Sequence, residues 1–341
     1  MQNEMKFLRG LIVGAGSSTS TPMLSCIATG SPCPTCAEAL ERPRSSRNHR
    51  LNPSFLLQMR HPTDGTVHNI LIDCGKTFRE SAIKVLSTVG VADLSALLLT
   101  HDHADAAFGI DDLRDYNRPD TALEVFTDER TAVSMQRTYP YLFPKDGPAV
   151  VGAWRKNKTN YVASIKWITF EPLQKVTINV RARVTPTTEE EAAVATWSLV
   201  PIAVPHGVNY CANAFLMPLH MPGEHPRLLL YVSDISTLEE RFFTDVAKAK
   251  EILGVPVSTP IEVLLLDMVS RNPYVSHLHV DASIEAARRI QAGMTYFVGM
   301  SHSLNYGAMT QELRSLGVGD RMAMGYDGCV VAVGKDTSAQ L

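Results

Sequence analysis

The stretch that decides the fold is Leu-Leu-Leu-Thr-His-Asp-His-Ala-Asp, at residues 97–105. Its apolar start, rich in leucine, predicts the end of a buried strand, and histidines and aspartates follow at once. Four later apolar runs end in the same way: His206 follows Pro201–Val204, Asp234 follows Leu229–Val232, Asp267 follows Val263–Leu266, and His302 follows Tyr296–Gly299. The same residue types therefore recur at five predicted strand ends.

These strand ends predict a metal site. In open α/β sheets, the carboxyl ends of the strands form the crevice in which ligands bind. Neutral imidazole and carboxylate are the groups that hold Zn²⁺ or Mn²⁺. His101 and His103 are two residues apart, so both rings can face one ion, and Asp105 can reach a second ion nearby. A lone buried histidine is more often a hydrogen-bonded core residue, but several at successive strand ends favour metal binding.

Other short apolar runs predict the remaining strands of a layered α/β architecture. The predicted strands are Phe7–Val13, Ser54–Met59, Asn69–Ile72, Leu94–Leu99, Leu199–Val204, Leu228–Val232, Val263–Leu266 and Tyr296–Val298. Helical patterns lie at Phe78–Thr88, Arg130–Thr138, Thr237–Leu253 and Asp281–Ala292. No linker divides residues 1–341, so we expect a single domain. The irregular part at about 145–196 is interpreted as a surface insertion with some strand, either a flap beside the substrate or a solvated excursion without function.

Composition and charge exclude several classes of protein. The chain has 341 residues, of which 45% are hydrophobic and 20% charged, as is ordinary for a soluble globular protein. Lys plus Arg number 32 and Asp plus Glu 35, a net charge of −3, so a basic nucleic-acid-binding protein is not expected. No apolar stretch is long enough to span a bilayer, and residues 1–14 do not have the pattern of a secretory signal. We therefore expect a cytoplasmic protein without membrane partners.

The cysteines suggest a second metal site. Six cysteines in 341 residues are too few for a disulfide scaffold. Cys26, Cys33 and Cys36 lie within eleven residues, which favours metal binding over crosslinks. The alternative is a group of three reduced, buried thiols.

Taken together, these motifs resemble the metallo-β-lactamase fold. The resemblance is carried by residues 100–105 and by the later His206, Asp234 and His302. It is closer to one branch, the PhnP-like phosphodiesterases, through the cysteine cluster and through five further stretches: Gly14–Ser20 with Pro22, Leu71–Gly75, Gly109–Arg114, Tyr139–Phe143 and Gly325–Gly328. It covers nearly the whole chain outside the insertion and implies a four-layer αββα sandwich with one or two metal ions at the sheet edges.

The resemblance also implies a ligand set for two divalent ions, zinc or manganese. These ligands are His101, His103 and His206 for one ion, Asp105 and His302 for the other, and Asp234 as a bridge between them together with a hydroxide. The family pattern ends His-x-Asp-His, but here Ala106 replaces the final histidine. Because one imidazole is missing, we expect the second ion to bind less tightly.

By the same resemblance, the cysteine cluster matches a structural zinc site in which three thiolates and a later histidine form a tetrahedron. The family's fourth ligand falls three residues after the late active-site histidine, a position that is Asn305 here. Asparagine is a poor zinc ligand. Either another group, such as His49, completes this site, or the zinc is absent.

Two histidines are candidates for proton transfer. By resemblance, His277 matches the general acid of the PhnP-like enzymes, which protonates the leaving alkoxide. His279 is its local rival and a candidate for substrate binding, and both can equally be exposed loop residues. Asp73 and Asp267 end predicted strands and can either orient the imidazoles of ligand histidines or cap the turns.

Arg114 is a further candidate for substrate binding. Its guanidinium suits a phosphate, and the alternative is an ion pair with Asp111 or Asp112.

The leading functional prediction is a metal-dependent phosphodiesterase for a small or cyclic phosphodiester, such as a phosphoribosyl cyclic phosphate. Two divalent ions about 3.5–4 Å apart activate water and clamp the oxygens of an in-line displacement. The alternatives within enzymes are a thioesterase, a lactonase or a tRNA-processing nuclease, although the near-balanced charge counts against RNA. A non-catalytic, PqqB-like metabolite-binding or carrier protein is the other alternative, which Ala106 favours. The branch also makes a homodimer an expectation.

Overall fold

Two β-sheets lie face to face in the computed structural model, which describes residues 3–116, 121–143, 163–183, 193–221, 225–331 and 333. Within these residues, each sheet has seven strands. The strands are β1 (Lys6–Gly14), β2 (Ser54–Arg60), β3 (Val67–Ile72), β4 (Ala96–Leu98), β5 (Leu123–Asp128), β6 (Ile165–Phe170), β7 (Val176–Arg181), β8 (Val194–Pro205), β9 (Cys211–Leu219), β10 (Arg227–Val232), β11 (Ile261–Asp267), β12 (Met294–Val298), β13 (Met322–Met324) and β14 (Cys329–Val331).

Both sheets are half antiparallel and half parallel. The first has the order β14-β1-β2-β3-β4-β5-β6, and the strands from β3 to β6 run parallel. The second has the order β13-β12-β11-β10-β9-β8-β7, and the strands from β10 to β13 run parallel. Parallel strands bring their carboxyl ends to one edge of a sheet, which is where ligand sites of α/β proteins form.

Helices cover the outer faces of both sheets, which confirms the predicted αββα sandwich. The α-helices among the described residues are α1 (Leu24–Ala28), α2 (Pro34–Glu41), α3 (Phe78–Lys84), α4 (Ala104–Ala107), α5 (Glu129–Thr138), α6 (Glu240–Ile252), α7 (Val280–Ile290) and α8 (Tyr306–Ser315), and the 3₁₀ helices are Leu86–Val89, Ile110–Tyr116 and Pro140–Leu142. Side chains of α3 and α5 pack on the first sheet, and those of α6, α7 and α8 on the second. None of these helices is long and apolar enough to cross a membrane.

The strands are continuous apolar runs because they are buried on both faces. Successive side chains of a strand point to opposite faces of its sheet. In β1, Ile12 packs between the two sheets, whereas Leu11 and Val13 pack under the helices of the outer layer. A strand with no solvent-facing side gains from apolar residues at every position, which is the pattern that predicted these strands.

The segment interpreted as a surface insertion contributes a strand to each sheet. β6 is the last strand of the first sheet and pairs in parallel with β5, and β7 is the last strand of the second and pairs with β8. In β7, the buried Val176, Ile178 and Val180 alternate with exposed residues, as expected for a half-solvated edge strand. Residues 144–162 and 184–192 lie outside the described residues, so a role for this segment beside a substrate stays a prediction, as does the single domain.

Asp327 joins the loop before β14 to the loop after β1. Its two carboxylate oxygens accept hydrogen bonds from the backbone nitrogens of Ala15 and Leu51, each at 3.0 Å. Lys84 of α3 forms an ion pair with the same carboxylate at 3.0 Å. Because Asp327 is fully buried, these contacts fix the loop after β1 against the sheet and α3.

The loop after β1 also contacts the loop after β12. Gly16 bridges Met300, and Ser17 N donates to the carbonyl of Met300 at 3.0 Å. A Cβ on Gly16 would lie 2.7 Å from the carbonyl oxygen of Arg50, so only glycine fits this close approach. The two loops are thereby held together at the edge where the functional residues lie.

Candidate metal centres at the strand ends

Three imidazoles meet at the carboxyl ends of β4 and β8. His101 and His103 follow β4, and His206 follows β8. One nitrogen of each ring lies within 4.8 Å of the others, and His206 Nε2 is 3.1 Å from His103 Nδ1. Zn–N bonds of about 2.0–2.1 Å place two ligand nitrogens of a tetrahedron about 3.3 Å apart. The spacing of the rings therefore matches that of ligands to one ion.

Hydrogen bonds orient two of these rings, those of His206 and His101. His206 Nδ1 donates to the carbonyl oxygen of Ser276 at 2.8 Å. His101 Nδ1 lies 2.8 Å from the Thr100 hydroxyl, which in turn donates to the Asp73 carboxylate at 3.0 Å. Since the hydroxyl proton goes to Asp73, the oxygen of Thr100 accepts from His101 Nδ1. His101 Nε2 is buried and has no hydrogen-bond partner among the described residues.

The charge state of the rings suits a cation. Burial lowers the pKa of His101 to about 3, although the Asp234 carboxylate acts in the opposite direction. Burial and the neighbouring His206 likewise lower the pKa of His103. Neutral imidazoles offer lone pairs, and a buried nitrogen without a partner costs free energy that a bound ion would offset. These residues therefore fit a divalent metal ion.

Asp234 adds a carboxylate to this group. It follows β10, is buried, and its Oδ1 lies 3.9 Å from His206 Nε2. Burial raises the pKa of this carboxyl group, but the nearby imidazoles of His101, His206 and His277 lower it to about 2 overall. An ionised carboxylate beside imidazole nitrogens is a donor set that zinc accepts.

His277 lies beside the same carboxylate. Its Nδ1 is 4.0 Å from Asp234 Oδ1 and 2.9 Å from Oδ2 of Asp267, at the end of β11. Backbone nitrogens of Ile235 and Leu278 donate to that same oxygen of Asp267 at 3.3 and 3.2 Å, so the carboxylate is fixed. Burial disfavours charge on His277, but Asp267 and Asp234 raise its pKa to about 9. With Nδ1 held by Asp267, Nε2 is the atom left to donate a proton.

A second candidate centre consists of three thiols and an imidazole. Cys26, Cys33, Cys36 and His302 lie together, with His302 Nδ1 3.4 Å from Cys33 Sγ and 3.5 Å from Cys36 Sγ. Zn–S bonds of about 2.3 Å and Zn–N bonds of about 2.0–2.1 Å place sulfur and nitrogen about 3.5 Å apart in a tetrahedron. Burial raises the pKa of Cys33, but hydrogen bonds from Cys36 N and His302 lower it to about 7 overall. This group fits a Cys₃His zinc site.

The family of the chain follows from a comparison with family models. Residues 68–300 match the model described as the beta-lactamase superfamily domain. The chain belongs to the β-lactamase superfamily. A solved diphosphatase of the PhnP family has a TM-score of 0.64 and 19% identity, covering 95% of this chain and 96% of that one. Zinc-bound PqqB from Methylobacterium extorquens also has a TM-score of 0.64, with 13% identity over 96% of this chain and 100% of that one.

One curated protein matches part of this superfamily member. An octanoyltransferase of Porphyromonas gingivalis is 31% identical over 141 residues, which are 41% of this chain and 24% of that protein. The chain thus matches about a quarter of the length of that relative. Membership of the superfamily rests on the family model, and the solved structures show the shared fold.

The position of His302 corrects its sequence-based assignment to the second active-site ion. It is the fourth member of the cysteine group, the place for which Asn305 and His49 were considered. Asn305 instead caps α8, where its side chain accepts a hydrogen bond from Ala308 N at 3.1 Å. His49 lies 3.0 Å from the ammonium group of Lys84. In the family pattern described above, the late active-site histidine lies three residues before the fourth ligand of the cysteine site. Since His302 is that fourth ligand here, the active-site histidine would be expected at residue 299.

That earlier position is Gly299. Its φ is +77°, and a Cβ there would lie 2.8 Å from Oδ1 of Asp267. A histidine at this position would therefore displace the carboxylate that holds His277. The prediction was wrong because this chain has Gly299 where the pattern requires a histidine. His302 lies with the cysteines instead.

The second active-site position consequently has fewer ligands than predicted. Asp105 is buried on α4, and burial together with the Asp234 carboxylate raises its pKa to about 6. Ala106 and Gly299 supply no imidazole. The remaining groups are Asp105, the shared Asp234, and His277, which is already bonded to Asp267.

The two predicted substrate-binding residues have local contacts. His279 precedes α7, makes no side-chain cap, and bridges Ser270 through its backbone. Arg114 forms an ion pair with Asp111 in the 3₁₀ helix Ile110–Tyr116. Neither belongs to the histidine and carboxylate groups found among the described residues. Their contact with a substrate stays a prediction.

Tyr210 supports the site but has no distinctive sequence signal. Its ring stacks on His103 at a centroid distance of 4.6 Å and an interplanar angle of 5°. Its hydroxyl donates to the Asp102 carboxylate, and the Arg130 guanidinium lies 4.1 Å from its centroid. A tyrosine four residues after a histidine is not a known motif, so the sequence gives no reason to single out Tyr210. Its contact with His103 is visible only in the folded structure. Tyr210 therefore fixes the orientation of the His103 ring.

We expect Tyr210→Leu to weaken metal binding at the histidine centre by about 10- to 100-fold, as loss of groups that orient a ligand commonly does. Tyr210→Phe keeps the stacked ring and should lose less. Titration of metal-free protein against a chelating dye measures both affinities. Equal affinities in the wild type and Tyr210→Leu would exclude this positioning role.

Proposed function

We propose that this protein is a metal-dependent phosphodiesterase, a hydrolase that acts on a small or cyclic phosphodiester. One observation carries the proposal: the imidazoles of His101, His103 and His206 face one point, with His277, held by Asp267, beside them. Hydrolysis of an ester needs an activated water and a proton for the leaving group. This arrangement supplies residues for both.

Each group has a defined task in this reaction. A divalent ion bound by the three histidines and Asp234 would supply Lewis-acid chemistry, lowering the pKa of water and neutralising charge on the phosphoryl oxygens. Asp267 accepts the Nδ1 proton of His277 and so keeps Nε2 directed away from it. His277 then donates its Nε2 proton to the departing alkoxide.

The substrate class rests on charge and on similarity. A net charge of −3 offers no excess of cations for a long nucleic acid, which favours a small molecule. The fold is shared with a PhnP-family diphosphatase, which supports phosphate chemistry.

We further propose that the active centre holds one ion tightly and a second only weakly. The first position has three imidazoles and Asp234, whereas the second has Asp105 and the shared Asp234. With the cysteine group, we expect about two tightly bound ions per chain, of zinc or manganese at the histidines and of zinc at the cysteines. Elemental analysis of protein purified without chelator measures this number, and three tightly bound ions would contradict it.

Turnover of bis(4-nitrophenyl) phosphate by metal-loaded protein tests the activity. We expect hydrolysis that chelation abolishes and that Zn²⁺ or Mn²⁺ restores. An octanoyl thioester and a β-lactam serve as comparison substrates. Absence of phosphodiester turnover with any divalent ion, at full occupancy, would overturn the proposal.

A thioesterase or related acyl hydrolase is the second candidate. The observation in its favour is the 31% identity over 141 residues with a protein named as an octanoyltransferase. Turnover of the octanoyl thioester alone would support it. If no substrate turns over, a PqqB-like carrier role becomes the better account.

A further inference from the structure

A cavity of about 640 Å³ lies between α1 and α3. Residues 19–27 form one side, and Lys76, Thr77 and Glu80 at the start of α3 form the other. The walls are mainly apolar, with side chains of Pro22, Met23, Leu24, Ile27 and Leu51. The volume is that of a site for a small organic molecule.

The cavity borders the backbone that carries Asp105. Lys76 N donates to the carbonyl oxygen of Ala104 at 2.8 Å, and Ala104 is the residue before Asp105. A Cβ on Gly75 would lie 1.8 Å from the carbonyl oxygen of Asp105, so the two segments are in direct contact. Because Ala104 directly follows His103, the cavity and the histidine centre adjoin the same segment of chain, residues 103–105.

The charges at the cavity favour an uncharged arm. Lys76 and Glu80 carry opposite charges at its rim, and burial together with Lys84 lowers the pKa of His49 to about 4, so this imidazole is neutral at neutral pH. A second phosphate on the arm would find no net positive charge.

The cysteine group holds the wall formed by α1. This helix has five residues, none of them buried, and Leu24 is 82% exposed. A helix of this length has no stability of its own. Its attachments are Cys26 in its middle and the backbone nitrogen of Met23, which donates to Cys36 Sγ at 3.4 Å. Loss of the ion at the cysteines would release the wall.

We infer that this cavity binds an uncharged, mainly apolar arm of the substrate, and that the Cys26/Cys33/Cys36/His302 centre shapes it by fixing α1. The inference rests on the proposed function for the position of the reacting ester. The binding of an apolar molecule in the cavity does not depend on catalysis, so the two can be tested separately.

Fluorescence titration with N-phenyl-1-naphthylamine, an uncharged apolar probe, tests the cavity directly. We expect binding by metal-loaded wild-type protein and a loss of at least about tenfold in affinity for Ile27→Asp, because a charge replaces part of the apolar cavity wall. Leu40→Asp is the matched control, since Leu40 is an exposed leucine on α2 outside the cavity and should bind like the wild type. Equal binding by wild type and Ile27→Asp would overturn the inference.

Cys33→Ser tests the role of the cysteine centre. We expect it to lose one ion per chain, to weaken probe binding by at least about tenfold as Ile27→Asp does, and to become sensitive to proteolysis near residues 22–30. Unchanged probe binding after loss of that ion would overturn the link between the metal and the cavity wall.

A substrate series then distinguishes the two proposals. For 4-nitrophenyl methyl, butyl and octyl phosphate, we expect kcat/KM to rise with chain length, by up to about fourfold per buried methylene. In Ile27→Asp the ratio of octyl to methyl turnover should approach one. Probe binding without hydrolysis of any diester would support the cavity site and overturn the phosphodiesterase. Hydrolysis at a rate independent of chain length would support the phosphodiesterase and overturn the binding of an apolar arm.

Discussion

His206→Ala is expected to remove the active-centre ion and to lower phosphodiester hydrolysis by at least about 10³-fold, because electrostatic stabilisation of the transition state is lost. The ring of His206 is buried, its Nδ1 is held by the Ser276 carbonyl, and its Nε2 lies 3.1 Å from His103 Nδ1. Without it, two imidazoles and a carboxylate remain. Elemental analysis should show one ion fewer per chain, with the ion at the cysteines retained.

The matched control is His225→Ala, which removes an exposed histidine. It should keep both the metal content and the activity of the wild type. Circular dichroism confirms that each variant is folded. Full metal content in folded His206→Ala would show that His206 is not a ligand, and the assignment of the active centre would then be wrong.

His277→Asn should lower kcat by about 10²- to 10⁴-fold, the usual contribution of a general acid, while leaving the metal content unchanged. The loss should depend on the leaving group. An alkoxide needs a proton, whereas 4-nitrophenolate leaves readily without one, so bis(4-nitrophenyl) phosphate should be much less affected than a dialkyl ester. Kinetics with both substrates measure this difference.

His279→Asn serves as the comparison. His279 was the rival for this role, yet Asp267 bonds to His277, and His279 makes no side-chain cap on α7. Its replacement should therefore leave kcat unchanged. If both substrates lose activity equally in His277→Asn, proton donation is not its task, and its contact with Asp234 would have to explain the effect.

Strands were predictable where burial on both faces makes the chain apolar throughout. All eight predicted runs lie in or overlap strands of the structure. Helix ends were less predictable. The pattern over Phe78–Thr88 predicted one helix, but α3 ends at Lys84 and a 3₁₀ turn follows to Val89. Val85, Thr88 and Val89 are β-branched and restrict side-chain rotation in a helix, which explains the change.

The sequence predicted correctly which side chains lie together when they directly follow strands. The prediction failed for His302, which lies one loop further on. His101, His103, His206 and Asp234 lie together because a strand end fixes each of them. His302 follows a glycine with φ of +77°, and such a turn redirects the chain in a way that spacing alone does not reveal. The signal available in the sequence was the three-residue spacing between the late active-site histidine and the fourth ligand of the cysteine site. With His302 as that fourth ligand, the active-site position is Gly299, which has no imidazole.

Edge strands were the other part that the sequence concealed. Val176, Ile178 and Val180 show the alternation of a half-buried strand, but this pattern is weaker than a continuous apolar run. The pairing of β6 with β5 also joins segments separated by many residues, which local patterns cannot indicate. The irregular segment therefore resembled an insertion.

The edge strand β14 of the first sheet has a consequence for biosynthesis. β14 pairs with β1, and Asp327 accepts hydrogen bonds from Ala15 and Lys84. Synthesis proceeds from the amino terminus, so these partners leave the ribosome long after the segments that they hold. A nascent chain keeps its first strand without one neighbour, and Lys84 without its counter-ion, until residues 327–331 have emerged. The ion-binding edge therefore reaches its final contacts only after residues 327–331 have been synthesised.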